Sequence, residues 1–211
     1  LIVEHIRVAD LVGVADLVAI LLAAGRGTRF DPSGARLKLL QPAPSGPHKG
    51  APIAVAAARN LRATGLEVLA VVRGDETAEA GALREALARE GCALLVNPAA
   101  DAGVGGSLAL GVAHALEAAG WIVALADMPA IAPDTIARVA AELRRGSTTV
   151  APAFNGQRGH PVGFAVSLAD ELIALSGDSG ARDVLKRHPP QLVAVDDPGV
   201  LLDIDTPASL Q

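Results

Sequence analysis

Residues 18 to 38 hold the densest chemistry in this chain. An apolar run, Val18-Ala19-Ile20-Leu21-Leu22, stops at Ala23-Ala24-Gly25-Arg26-Gly27-Thr28-Arg29, and Lys38 follows one loop-length later. Small side chains at such a turn let a ligand approach the backbone, where several N–H groups face one point. Arg29 then meets phosphate oxygens as a planar fork and Lys38 as a point charge. In outline this is a nucleoside triphosphate site, although the same kind of turn also serves as a plain tight corner. It is not a Walker A loop, since no Gly-Lys-Ser/Thr closes it. Nor is it a dinucleotide fingerprint, since G-x-G-x-x-G is absent.

Carboxylates supply the second group of candidates. Asp127 follows the uncharged run 121–126 and precedes Met128-Pro129. There it either meets a hard cation beside bound phosphates or caps the turn before Pro129. Asp203 and Asp205 are two apart, which puts both on one side of an extended strand. Like charges so close call for a cation or donor between them; the alternative is that Asp205 caps a helix begun at Pro207.

Three further segments carry polar groups. Asp101-Ala102-Gly103-Val104-Gly105-Gly106-Ser107 precedes a helix and offers a backbone nest for a base, a ribose or a second phosphate, or else a flexible connection. Arg158-Gly159-His160-Pro161 sets a cation and an imidazole beside a strand, without metal-ligand spacing. The Gly-rich, charged run 176–182, with Asp178 and Arg182, reads as a fold over a second substrate. No Ser-His-Asp order stands out and Cys92 has no base in its surroundings, so covalent catalysis is disfavoured.

These residues need a scaffold, and the chain alternates strand and helix patterns to provide one. Strands are expected at 18–22, 67–72, 93–96, 121–126, 148–151, 161–166, 192–195 and 201–205. Helices are expected at 52–61, 76–90, 107–119 (capped by Ser107), 135–145, 169–175 and 181–187. Such alternation predicts a single three-layer α/β/α domain, 17–211, around a mostly parallel Rossmann-like sheet, with 1–16 as a peripheral segment. Ligands of open sheets sit beyond the carboxyl ends of the strands. That rule gathers residues 23–38, Arg73-Gly74, 97–107 and 127–129 into one place.

Composition sets the limits. The 211 residues suffice for one domain with a real core, 51% of them hydrophobic but only 2% aromatic, so Ala, Val, Leu and Ile must fill it. One cysteine excludes an intrachain disulfide framework and a multi-thiolate zinc site. A net charge of -5 argues against nucleic-acid binding. No run is long and apolar enough to span a membrane. Glu4, Arg7 and Asp10 near the start do not resemble a signal peptide, so a cytoplasmic location is expected.

Taken in order, LLAAGRGTR with its following KLL, then GVGGSL, LADMP, RGHPVGF, GDSGAR and DIDTP resemble the nucleotidyltransferases from about Val18 to Leu210. The branch they resemble most is the molybdenum cofactor cytidylyltransferases, relatives of the guanylyltransferases that make molybdopterin guanine dinucleotide. The resemblance implies the nucleotide-diphospho-sugar transferase type of fold and CMP transfer from CTP to the phosphate of molybdopterin, with pyrophosphate released. It also implies a recipient molybdoenzyme. Ala23, Ala24, Gly25, Arg26, Gly27, Thr28 and Arg29 would cradle the triphosphate while Lys38 stabilises its charge, with Gly105 and Ser107 helping to hold the nucleotide; Arg73 joins the nucleotide-binding residues by its place at a strand end. Asp127 would bind Mg2+ together with Asp203 or Asp205. Arg158, Gly159, His160, Pro161, Asp178 and Arg182 would approach the acceptor.

Two departures keep alternatives open. Family members usually have Met-Gly after the arginine and a shorter path to the lysine. Here residues 30–37 intervene, and Lys49 is the substitute for Lys38. GVGGSL keeps one serine of the family's pair. The alternative functions are guanylyl or other nucleotidyl transfer to a different phosphorylated acceptor, and a non-catalytic carrier delivering the cofactor. An oxidoreductase finds no dinucleotide fingerprint to support it.

Overall fold

The structure is a computed structural model and describes residues 16–32 and 36–210; all but Asp16 of the expected peripheral segment lies outside the described residues. Strand β1 (Leu17–Ala23) shows why the sheet forms. Leu17, Ala19, Leu21 and Ala23 enter one apolar cluster, while Val18 and Ile20 enter another. That is the period of two expected of a strand covered on both faces. β2 (Glu67–Arg73) divides its side chains in the same way: Val68, Ala70 and Val72 against Leu69 and Val71.

β3 (Ala93–Asn97), β2, β1 and β4 (Gly120–Leu125) lie side by side in that order and run parallel. Beyond β4 the sheet turns antiparallel through β7 (Val162–Ala165) and β5 (Thr149–Phe154). β5 also pairs with the short β6 (Gln157–Arg158) and with β8 (Gln191–Ala194). Helices α1 (Ile53–Arg62), α2 (Ala78–Arg89) and α4 (Pro133–Arg144) bury Ile53, Leu61, Leu83, Leu87, Ile136 and Val139 in the first cluster. Helices α3 (Val104–His114), α5 (Ala169–Ile173) and α6 (Arg182–Arg187) bury Leu108, Val112, Leu172 and Val184 in the second. The expected three layers are present. Small residues let them close: a Cβ on Gly111 would sit 2.9 Å from Ile20 Cγ2, so α3 lies directly on β1. Cys92 is buried as a packing residue, its thiol pushed up to about 11 by burial.

Three expectations are corrected. Helix α3 begins at Val104, with Ser107 inside its first turn, because Gly103 at φ 110° makes the turn that Ser107 was expected to make. Residues 201–205 are not a strand. A 3-10 turn, Pro198–Leu201, ends there, and the chain beyond it finds no ladder partner. β6 was not expected at all, although Asn155-Gly156, with φ values of 50° and 79°, is the dipeptide that closes a two-residue hairpin.

Asp197 secures the start of α4. Its Oδ2 accepts from Ala132 N at 2.9 Å and Thr135 Oγ1 at 2.7 Å, and its Oδ1 from Gly199 N at 3.0 Å. The carboxylate is buried, so removing it strands three donors away from water. Asp197→Ala is expected to cost about 3 kcal/mol and to lower the melting temperature by roughly 5–10 °C. A thermal melt checks this.

Candidate functional site

The sheet order reverses between β1, from which the chain runs outward to β3, and β4, to which it returns. Beyond the carboxyl ends of these strands lies a cavity of about 530 Å³. The turn after β1 forms its floor. Gly27, at φ 67°, bends the chain so that Phe30 and Asp31 N–H both reach its carbonyl at 2.9 and 3.1 Å. Phe30 is buried in the core and anchors the loop from below. A Cβ on Gly27 would lie 3.3 Å from Lys38 Cβ. The turn and the 3-10 segment Lys38–Leu40 are thereby held side by side.

At one end of the cavity, three strands of sequence meet on an ammonium. Lys38 is only 8% exposed. Its Nζ donates to Asp127 Oδ2 at 2.7 Å and to Asp205 Oδ1 at 3.4 Å. Arg29 pairs with the other oxygen of Asp205 at 2.5 Å. The backbone explains how residues so distant in sequence converge. β4 delivers Asp127 at its carboxyl end, where Ala126 N bonds Leu22 O of β1. Ile204 is buried, and its N–H reaches Asp127 O at 2.9 Å, which hangs Asp203 and Asp205 over the same rim. Burial, and then the neighbouring charge of Asp205, push the Asp203 carboxyl above its usual range.

A second ionic cluster walls the other end. Arg73, at the end of β2, donates from Nε to Asp75 at 2.8 Å, from one terminal nitrogen to Ala24 O at 3.0 Å, and from the other to Asp101 at 2.8 Å. Asp101 also takes both donors of an Arg26 fork. Arg26, and then Arg73, hold the Asp101 carboxyl well below the usual carboxylate range. Behind it, Asn97 donates to Ser107 Oγ at 3.0 Å, tying β3 to α3.

The expected site residues divide into two groups. Ala24, Gly25, Arg26, Gly27, Thr28, Arg29, Lys38, Arg73, Ser107, Asp127, Asp178, Asp203 and Asp205 line the one cavity. Lys49 is exposed and outside its lining. Ala23 is buried in the core beneath the turn. Gly105 faces backbone instead of the cavity: its N–H donates to Gly177 O at 2.8 Å, and a Cβ there would meet Ser176 O at 2.7 Å. Arg158, Gly159, His160, Pro161 and Arg182 are likewise outside the lining. Gly159 packs on Val200, and His160 follows it with its Nδ1 buried and without a hydrogen bond. Burial, and then the Arg158 charge, push the imidazole down, while Asp127 acts in the opposite direction. Sequence reasoning missed Asp75 and Asp101 as individual site residues. The two-residue step from Arg73 to Asp75 at a strand end was the available signal for one of them.

The donor set decides what kind of metal fits. Among the described residues no three His, Cys, Asp or Glu side chains are grouped to hold a metal ion. The wall instead offers Asp127 and Asp205 on either side of one ammonium. Two carboxylate oxygens suit a hard divalent cation that completes its shell with phosphate and water oxygens.

A doubly covered α/β sheet, with a glycine-bearing turn after β1 and a carboxylate at the end of β4 across the switch point, is the frame of a nucleotidyltransferase. The chain belongs to the MobA-like NTP transferase family, whose domain matches residues 19–192. It is 30% identical over 200 residues to the nicotine blue oxidoreductase of Paenarthrobacter nicotinovorans, spanning 90% of this chain and 92% of that protein. Its fold is similar to that of Rv0371c from Mycobacterium tuberculosis H37Rv, with a TM-score of 0.77 at 27% identity over 94% of this chain and 96% of that one. The same mycobacterial protein has been solved as a manganese complex, similar at a TM-score of 0.72 and 27% identity over 92% and 95% of the two chains. Molybdopterin-guanine dinucleotide biosynthesis protein A from Archaeoglobus fulgidus shares the fold at a TM-score of 0.58 and 19% identity, over 92% and 95% of the chains.

Proposed function

We propose that this protein transfers CMP from CTP to the terminal phosphate of molybdopterin, releasing pyrophosphate, with Mg2+ as the divalent cation. The carrying observation is the convergence of Lys38, Arg29, Asp127 and Asp205 within one polar cavity next to a glycine-bearing turn. An acceptor phosphate oxygen attacks the α-phosphorus of the nucleotide, the bond to the bridging α–β oxygen breaks, and pyrophosphate carries away the electron pair. This chemistry asks for positioning and charge neutralisation and needs no protein nucleophile. The Gly25–Thr28 backbone and the Arg29 fork receive the triphosphate, and Lys38 meets the charge that grows on the leaving group. Asp127 and Asp205 would hold the cation, which when bound neutralises phosphate oxygens. Asp178, exposed at the cavity edge, is assigned to the acceptor side, as are Arg158, His160 and Arg182, which are outside the cavity lining.

The cytosine preference rests on the Ala23-Ala24 pair, where guanylyl relatives commonly carry a double glycine. The acceptor rests on the resemblance of the RGHP, GDSGAR and DIDTP segments. A cytoplasmic enzyme handing its product to a molybdoenzyme completes this reading; no described helix is long and apolar enough to cross a membrane.

Pyrophosphate release tests the reaction, measured with CTP, GTP or ATP in the presence of Mg2+ and molybdopterin, each component omitted in turn. Release with CTP that requires both metal and pterin is the expected result. Release with GTP would transfer the proposal to guanylyl chemistry. A redox reading is favoured by the oxidoreductase at 30% identity. It predicts oxidation or reduction of a redox dye, with no pyrophosphate formed from any nucleotide.

A further inference from the structure

Among the described residues, every cation that lines the cavity is already held by a carboxylate. Arg26 is paired with Asp101, Arg73 with Asp75 and Asp101, Arg29 with Asp205, and Lys38 with both Asp127 and Asp205. Lys38 differs from the arginines in where its charge lies. Its side chain is 10% exposed, against 76% for Arg29, and its single ammonium stands between two carboxylates brought from β4 and from the C-terminal segment. We propose that the Lys38 ammonium holds the place of a divalent cation, so that Asp127 and Asp205 accept a metal only when nucleotide phosphates draw Lys38 away. This rests on the nucleotidyl-transfer reading above and adds to it an order of loading.

The physical argument begins with charge. A carboxylate pair already neutralised by an ammonium at 2.7 and 3.4 Å offers little to a free divalent ion. That ion must shed water and then stand beside a like charge. Asp203 lies on the same rim, yet among the described residues no three acidic or imidazole groups are arranged to hold a metal ion. A triphosphate changes the balance twice over. It gives the ammonium a more highly charged partner, and it supplies the oxygens that a metal needs to fill its shell. Lysine suits the exchange because its charge sits at the tip of a flexible four-carbon stem. The backbone need not move: Lys38 begins its 3-10 turn and Leu39 beside it is buried. Arg29, mostly exposed, leaves Asp205 at the same step. A metal and a nucleotide therefore enter together, and the carboxylates are not left bare between turnovers.

Mn2+ binding, read from the loss of the free-ion electron paramagnetic resonance signal, tests this without acceptor and without turnover. Wild type, Lys38→Met, Lys38→Gln and the double variant Lys38→Met/Asp127→Asn are titrated with Mn2+ alone. Wild type is also titrated in the presence of CTP or GTP, with the Mn2+–nucleotide complex in solution accounted for. Circular dichroism establishes that each variant is folded, and the glutamine variant keeps hydrogen-bonding capacity if methionine is not tolerated. The expected result is that either single variant binds Mn2+ alone at least about tenfold more tightly than wild type. The gain disappears in the double variant, and nucleotide produces a comparable gain in wild type. Equal affinity of wild type and both single variants for Mn2+ alone overturns the proposal, as does a gain that persists without Asp127. Failure of the wild type to bind either nucleotide would count against the nucleotidyl-transfer reading, and the titrations without nucleotide decide the role of Lys38 regardless.

Discussion

Asp127→Asn is expected to leave the protein folded and to lower kcat/KM for pyrophosphate release by about a thousandfold. The substitution preserves shape at the end of β4 and removes only charge. It does so at the point where Lys38 Nζ lies 2.7 Å from the carboxylate and where Ile204 N–H reaches the backbone carbonyl of the same residue. The backbone bond survives, so Asp203 and Asp205 keep their place. The lysine loses its nearer partner, and a bound cation would lose one of two carboxylates. Such a site, dependent on placed charge alone, has no second device to fall back on. Steady-state assays with circular dichroism as the control read the outcome. Retention of activity within tenfold would sink the assignment of Asp127 and move the reacting phosphates away from the end of β4.

The second large effect is expected at Arg73. Its guanidinium joins the turn after β1 through Ala24 O, the turn after β2 through Asp75 and the loop after β3 through Asp101. Arg73 itself, the turn after β1 and the loop after β3 all line the cavity. Arg73→Ala removes all three ties at once and leaves the Ala24 carbonyl and Asp75 without this donor, while Asp101 keeps the Arg26 fork. The dissociation constant for the nucleotide is expected to rise by about thirtyfold, with stability falling by roughly 2–4 kcal/mol. Arg73→Lys should recover little, because one ammonium cannot reach three partners in a planar fork. Calorimetric titration with nucleotide alone separates the two consequences. Unaltered affinity with a lower melting temperature would reduce Arg73 to a structural tie.

The parts of the site carried by local residue types were legible in the sequence. The run 18–29 was one, because an apolar strand and a small-residue turn declare themselves within a dozen positions. Asp127 was another, at the end of an uncharged run. Convergence was less legible. Lys38 meets Asp205 across 167 positions, a meeting that depends on the burial of Ile204 and its backbone bond to Asp127. Asp203 and Asp205 were expected on one side of a strand, and both do line the cavity. The extended chain that carries them is no strand, since pairing depends on a partner that spacing cannot reveal. Ser107 had the right residue type for a cap, but Gly103 reached the required backbone conformation first. Arg73 was placed with the nucleotide-binding residues by its position; that it acts by tying other walls together depends on Ala24, Asp75 and Asp101, known only from the fold.

Where α3 begins, the cavity wall is made by main chain resting on main chain. A Cβ on Gly103 would fall 2.3 Å from the carbonyl of Gly177, and one on Gly105 would fall 2.7 Å from Ser176 O. Side chains enter only at the margins of this contact, Asp178 Oδ1 beside Gly103 and Val104 beside Gly180. A side chain at Gly103 or Gly105 would therefore wedge the segments apart before it could reshape the opening. A lineage adapting this scaffold to a bulkier or slimmer acceptor would find its variation elsewhere, in the length of the segment at 176–182. Selection there would act on insertions and deletions more than on point changes.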